Sequence, residues 1–149
     1  MIEFCPLLAT DFERIYPIEQ AAHLEPWSPA NLLSCFGPRY LNGLMLHDGQ
    51  PAGFYISDLV AGDSSLMNIC VLPALQGKGL GWALLQEYLA RSKANRAEAW
   101  FLEVRASNHK AIRLYERAGF AEYCRRDGYY GTGNAREDAI LMSRLFDLD

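Results

Sequence analysis

The stretch YLNGLMLHDGQPAGFYISDLV, residues 40–60, constrains the fold more than any other. At its centre Asp48-Gly49 sits between apolar runs. This is the strongest short hairpin signal, because the tightest hairpin turns need positive φ at both central residues. Two antiparallel strands are expected to flank it. SSLMNICVL, residues 64–72, reads as a further strand, stopped by Pro73. A chain with consecutive antiparallel strands at its middle is not the regular strand–helix alternation of a doubly wound parallel sheet.

The flanks complete the order. IEFCPLL (2–8) reads as a first strand. TDFERIYPIEQAAH (10–23) has Phe12, Ile15, Tyr16 and Ile18 at near-helical spacing, with Thr10 or Asp11 as cap. WSPANLLSCFG (27–37) predicts a short helix capped by Ser28, opened by Pro29 and ended by Gly37. Leu80, Leu84, Leu85, Tyr88 and Leu89 mark a long helix. EAWFLEV (98–104) is a strand, and NHKAIRLYERAGF (108–120) a helix closed by Gly119. FAEYCRRDGYYG (120–131) and REDAILMSRLF (136–146) are the last strands, joined by a loop containing Gly, Thr and Asn. The order β-α-α-β-β-β-α-β-α-β-β predicts a mixed α/β (α+β) protein of about seven strands and about four helices. With 149 residues and no repeat, low-complexity tract or linker, one domain over 1–149 is expected.

Charge and cysteine usage exclude several classes. A net charge of −4 disfavours nucleic acid as a direct partner. No apolar run approaches the length of a membrane span. The opening MIEFCPLLATDFERIY carries acidic residues and no long apolar run, unlike a signal peptide. Cys5, Cys35, Cys70 and Cys124 show no C-x-x-C pair, and His23, His47 and His109 are scattered. No metal is expected, and reduced thiols point to the cytoplasm. Oligomeric state is not readable.

QGKGLG (76–81) lies between a strand and a helix. The first N–H groups of a helix lack internal partners and carry the positive end of its dipole, and glycines let an anion approach them. Three ligands compete with a plain flexible turn. A Walker loop needs Ser or Thr after its lysine, but Gly79 follows Lys78. A Rossmann fingerprint needs G-x-G-x-x-G, but here the spacing is Gly77-x-Gly79-x-Gly81. The third candidate is the pyrophosphate of coenzyme A.

Taken with its flanks, VLPALQGKGLGWALL (71–85) resembles the Q/R-x-x-G-x-G/A loop of the GNAT N-acetyltransferase superfamily. NHKAIRLYERAGF resembles the segment that closes the same site. IEQAAHLEPWS, LEVRASNHKAIRLYE and GYY with REDAILM are similar to the ribosomal-protein-alanine branch. That branch acetylates the N-terminal alanine of small-subunit ribosomal protein number eighteen. The resemblance implies a twisted sheet that splays after the strand ending at Val71, with acetyl-CoA in the splay. Main-chain groups of Ile69, Cys70 and Val71 would pair with the pantetheine. Gly77, Lys78, Gly79, Leu80, Gly81 and Trp82 would hold the pyrophosphate, and Asn108 would bond near the thioester. Trp82 departs from the family, which commonly has Arg or another small or basic residue there, a departure that would remove a charge near the phosphates.

The branch points to Glu103 as general base and Tyr115 as general acid. Alternation in AWFLEVR puts Trp100, Leu102 and Val104 on one face and Phe101, Glu103 and Arg105 on the other. Asn108, Ile112 and Tyr115 form one helical stripe. An α-amino group titrates near pH 8, so Glu103 has little deprotonation to do, and apolar neighbours should raise its pKa modestly. Tyr115 would serve mostly as a hydrogen-bond donor to the departing sulfur. Trp27, Tyr129 and Tyr130 are the candidates for lining the acceptor channel. Acidic Glu25, Asp127, Glu137 and Asp138 would suit a basic peptide. The expected partner is the N-terminus of a ribosomal protein. The rivals are the same chemistry on another N-terminus, a lysine or a small amine, a non-catalytic acetyl-CoA-binding module, and a nucleotide-binding module.

Overall fold

The computed structural model describes residues 1–131 and 136–145. They form β1 (Ile2–Pro6), α1 (Phe12–Ala22), α2 (Pro29–Leu33), β2 (Gly43–His47), β3 (Gln50–Val60) and β4 (Asp63–Val71). There follow α3 (Leu80–Ala94), β5 (Ala99–Arg105), α4 (His109–Arg117), β6 (Ala121–Tyr130) and β7 (Glu137–Leu145). The order is the one the sequence predicts. Part of the predicted loop at 131–136, and Phe146 at the end of the last predicted strand, lie outside the described residues.

The seven strands make one sheet in the order β1-β2-β3-β4-β5-β7-β6. Every pair is antiparallel except β4 with β5, which is parallel. The β2–β3 hairpin turns at Asp48 (φ 51°) and Gly49 (φ 82°), as expected. The β3–β4 hairpin turns at Ala61 (φ 52°) and Gly62 (φ 88°), a turn the sequence hides because alanine is not a turn residue. The α2 helix starts as predicted, with Ser28 Oγ accepting the Asn31 N–H at 3.1 Å. It ends at Leu33, before Gly37. Asn42 Nδ2 donates to the Cys35 carbonyl at 2.7 Å and so holds the chain in a different course just past the helix.

Strand alternation splits the core between the two sheet faces. Leu44, Phe54, Ile56 and Cys70 pack with Ile15, Ile18 and Leu32 from α1 and α2. Met45, Tyr55, Trp100, Leu102 and Val104 pack with Leu80, Leu84, Leu85, Tyr88 and Leu89, the predicted stripe of α3, and with Tyr115 of α4. The buried polar tip of Trp100 is satisfied, its Nε1 donating to Ser92 Oγ at 2.8 Å.

One irregularity shapes the site. In the β3–β4 ladder Ile56 faces Asn68 but Ser57 faces Leu66, so Met67 is an extra residue. Such a bulge bends its strand and increases its twist. The parallel β4–β5 ladder runs only from Asp63–Ala99 to Leu66–Leu102 and stops there. The strands therefore part at the bulge, which leaves residues 67–71 at the end of β4 without a partner in β5, in the gap expected beside the strand ending at Val71.

Candidate active site

A cleft of about 320 Å³ occupies the gap where β4 and β5 part. Leu66 to Ile69 of β4 form one wall and Leu102 to Arg105 of β5 the other. Asn108, at the cap of α4, and Ala111 and Tyr115 within it close one side, while Glu19, His23, Glu25, Trp27 and Tyr130 close the acceptor side. Six predicted site residues thus meet in one cavity: Trp27, Ile69, Glu103, Asn108, Tyr115 and Tyr130. Cys70 and Val71 are buried in the core clusters on opposite sheet faces. Their main chains still run along the cleft strand, pairing with Phe54 and Gly53 of β3 on the far side. Tyr129 is not among the lining residues. It is 52% exposed and packs edge-on against Tyr130 with centroids 5.1 Å apart.

The β5 alternation holds: Trp100, Leu102 and Val104 are buried, and Glu103 is exposed. The expected apolar setting of Glu103 is not found. Its side chain is 33% exposed and pairs with Arg126 Nη1 of β6 at 3.4 Å. The pair arises because β6 is the edge strand and Arg126 lies opposite Ala139, two residues along β7 from Leu141, the partner of Glu103. Tyr115 is 8% exposed and stacks edge-on with Phe120 at 6.0 Å. Burial, with a smaller contribution from Cys70, pushes its phenol well above the ordinary value. It stays protonated and can donate a hydrogen bond into the cleft. Asn108 caps α4, its Oδ1 accepting the Ala111 N–H at 3.3 Å.

The glycine loop leads into α3. Gly77 (φ 82°) and Gly79 (φ 77°) both adopt left-handed backbone, and an added Cβ at either would meet nothing within 4 Å. They are needed for conformation rather than for room within the protein. Gly79 is the N-cap residue, and Ala83 is the first helical N–H bonded to it, at 3.1 Å. The N–H groups of Leu80, Gly81 and Trp82 precede that bond and have no acceptor within the helix. Gln76 Nε2 donates back to the Val71 carbonyl at 3.1 Å and ties the loop to the end of β4. Lys78 is exposed. Trp82 carries the Arg117 guanidinium 3.8 Å above its ring, so a cation does stand beside the start of α3, supplied by α4.

The acceptor side holds two networks: the first ties up Glu25 and Glu137, which the sequence offered as acidic groups for a basic peptide, and the second is one that sequence reasoning missed. Arg105 bonds Glu137 at 2.9 Å, reaches Glu25 at 3.1 Å and lies 4.3 Å from the Tyr130 ring centroid. Hydrogen bonds from Ser107 and Arg105 hold the Glu137 carboxyl below its ordinary value. The second network centres on buried Glu19, whose oxygens accept from Asn68 Nδ2 (2.8 Å) and from the Trp27 N–H (2.9 Å). The sequence did carry a signal: Glu19 lies four residues after Ile15 and one after Ile18, on the same inward stripe. Glu19, His23 and Cys70 bring potential ligand atoms within 4.8 Å of one another. Both Glu19 oxygens are already taken by neutral N–H donors, and burial pushes the Cys70 thiol up, which disfavours the thiolate a metal needs.

Comparison with known proteins agrees with this geometry. Residues 1–120 match the acetyltransferase (GNAT) family. The chain is 44% identical over 137 residues to the [ribosomal protein bS18]-alanine N-acetyltransferase of Escherichia coli strain K12, covering 92% of this chain and 93% of that protein. It is 43% identical over 136 residues to the Haemophilus influenzae protein of the same name, covering 91% and 92%. The crystal structure of the ribosomal-protein-S18-alanine N-acetyltransferase from Escherichia coli superposes with a TM-score of 0.95 at 41% identity, over 100% of this chain and 96% of that one. Ard1 from Thermoplasma volcanium, at 22% identity and a TM-score of 0.85, shares the fold. This chain, with its sheet parted at a bulge and its glycine loop at the head of α3, belongs to the acetyltransferase (GNAT) family.

Proposed function

We propose that the protein transfers the acetyl group of acetyl-CoA to the N-terminal alanine of ribosomal protein bS18, as a single domain over 1–149 acting in the cytoplasm. The observation that carries this reading is the cleft itself. The Glu103 carboxylate, on the β5 wall, and the buried Tyr115 phenol share a cavity whose β4 wall has lost its strand partner. The two bacterial relatives named above act on that ribosomal protein.

In this reading the bare edge of Ile69, Cys70 and Val71 pairs with the pantetheine arm as an added strand would. The N–H groups from Gly77 to Trp82 meet the pyrophosphate, helped by the helix dipole. Arg117, stacked on Trp82, and exposed Lys78 add positive charge, and Asn108 bonds the arm near the thioester. The peptide enters between Trp27 and Tyr130, with Tyr129 at the rim. Its neutral amine attacks the thioester carbon. A C–N bond forms while the carbonyl electron pair moves onto oxygen, which a backbone N–H near Val71 stabilises. On collapse the C–S bond breaks. The surplus proton on nitrogen passes to Glu103, directly or through water. The leaving sulfur takes a hydrogen bond from the Tyr115 hydroxyl, whose raised pKa suits a bond that strengthens with charge better than complete transfer.

The test is intact-mass analysis of peptides after incubation with acetyl-CoA, with the modified atom located by fragmentation. A peptide starting Ala-Arg should gain one acetyl group at its N-terminus, faster than peptides starting Met or Glu. Preferential modification of a lysine or a small amine would reassign the acceptor, and tight acetyl-CoA binding without thiol release would remove the enzymology.

A further inference from the structure

Glu19 is a helical carboxylate with 0% exposure, and the transfer chemistry makes no use of it. A buried charge is tolerated only where hydrogen bonds replace its water. Glu19 meets that condition by gripping two separate parts of the chain. Oε1 accepts from Asn68 Nδ2 on β4, one residue beyond the bulge, at 2.8 Å. Oε2 accepts from the backbone N–H of Trp27, in the connection between α1 and α2, at 2.9 Å. The carbonyl of Trp27 accepts from the Tyr16 hydroxyl at 2.9 Å. Both backbone polar groups of one connection residue are thus held by α1 side chains, and that clamp is tied to β4.

The orientation of Asn68 is determined. A carboxylate only accepts, so Nδ2 must face Glu19 and Oδ1 must face His23 Nε2, 3.1 Å away. His23 therefore carries a proton on Nε2. The donors converge on Glu19, from the Trp27 N–H on one side and from His23 through Asn68 on the other, and all four residues line the cleft.

We infer that Glu19 and Asn68 are positioning residues for the acceptor, setting the height of the Trp27-bearing connection against β4 without touching the groups that react. The inference rests on the acceptor reading given above. Glu19→Gln puts an NH₂ group against one of two N–H donors, a clash relieved at Asn68 only if that amide turns over and His23 moves its proton to Nδ1. Asn68→Asp sets carboxylate against carboxylate. The double exchange, Glu19→Gln with Asn68→Asp, restores each hydrogen bond of the set and loses only the longer approach of His23 Nε2 to Oε1 at 3.5 Å. The new amide donates to the new carboxylate, still accepts from the Trp27 N–H, and the second Asp oxygen accepts from His23, all at unchanged net charge.

The experiment is steady-state kinetics with an Ala-Arg peptide and acetyl-CoA on wild type, both single variants and the double exchange. Acetyl-CoA calorimetry and thermal melts accompany it. Each single variant should raise the acceptor KM about tenfold while the acetyl-CoA KM moves less than about twofold. The double exchange should bring the acceptor KM back to within about threefold of wild type. A merely structural role would lower the melting temperature and the apparent kcat and leave KM unmoved. An acceptor KM unchanged in Asn68→Asp, or a double exchange no better than the worse single variant, overturns the inference. If a single variant does not fold, Tyr16→Phe decides: loss of the second tie should raise the acceptor KM about threefold, and no rise overturns the inference. A wild-type protein that binds acetyl-CoA and leaves the peptide unmodified sinks the acceptor reading, and this inference falls with it.

Discussion

The two ends of the cleft are built from different materials. At the glycine loop the binding groups are backbone amides, set by positive φ at Gly77 and Gly79 and by the start of α3, while Gln76 and Lys78 are exposed and Leu80 turns into the core. At the acceptor end the work is done by side chains that reach across the fold: Glu19 to Asn68 over 49 residues, Arg105 to Glu137 over 32. A backbone site is specified by a few residues at fixed spacing. It tolerates changes of side chain and fails when its dihedrals are disturbed. A side-chain lattice has the opposite sensitivity, because each member is fixed by partners from other elements.

The sharpest way to break this contrast is at the chemistry between the two ends. Glu103→Gln should lower kcat/KM for the peptide about a hundredfold, with acetyl-CoA affinity by calorimetry unchanged. A comparable loss of cofactor affinity would mean that the two ends are not separable. Next in size is Gly79→Val, which forces a β-branched residue into left-handed backbone and should weaken acetyl-CoA binding about thirtyfold. Tyr115→Phe should lower kcat about tenfold with little change in either KM, and equal kcat would dismiss its bond to sulfur. Smaller still, Lys78→Ala and Arg117→Ala should each weaken acetyl-CoA binding only about threefold, an effect that fades with added salt. A larger loss at Lys78 than at Gly79 would reverse the comparison.

The smallest effect concerns pH. The Glu137 carboxyl titrates lower in the fold than in an open chain, so its contribution to stability is present above the open-chain pKa. It is lost as pH falls through the folded value. Urea midpoints of wild type and Glu137→Gln should therefore differ at neutral pH and converge in acid. A gap that persists in acid would assign the effect to packing.

How far each feature could be read from the sequence follows the same division. Asp48-Gly49 announced its hairpin, the α3 stripe from Leu80 to Leu89 announced a buried helix, and AWFLEVR announced which face Glu103 takes. These are local signals with fixed periods. The bulge at Met67 has no local signature, since it exists only in register against β3. The same holds for Arg126 beside Glu103, which depends on β6 lying at the sheet edge. Trp82 was read as a lost charge because Arg117 is remote in sequence and adjacent only once α4 packs beside α3. Glu19 lay on a readable stripe and was passed over because acidic helical residues normally face water.

The four-residue parallel ladder between β4 and β5 has a mechanical meaning. Above it the sheet is two antiparallel leaves, β1 to β4 and β5 with β7 and β6, each complete in its own pairing. With only four rungs between them, the leaves are held at the open end by the helices that pack on both, not by strand pairing. A guest lodged there acts as a splint, so slower amide exchange in residues 67–71 should track saturation of the cleft.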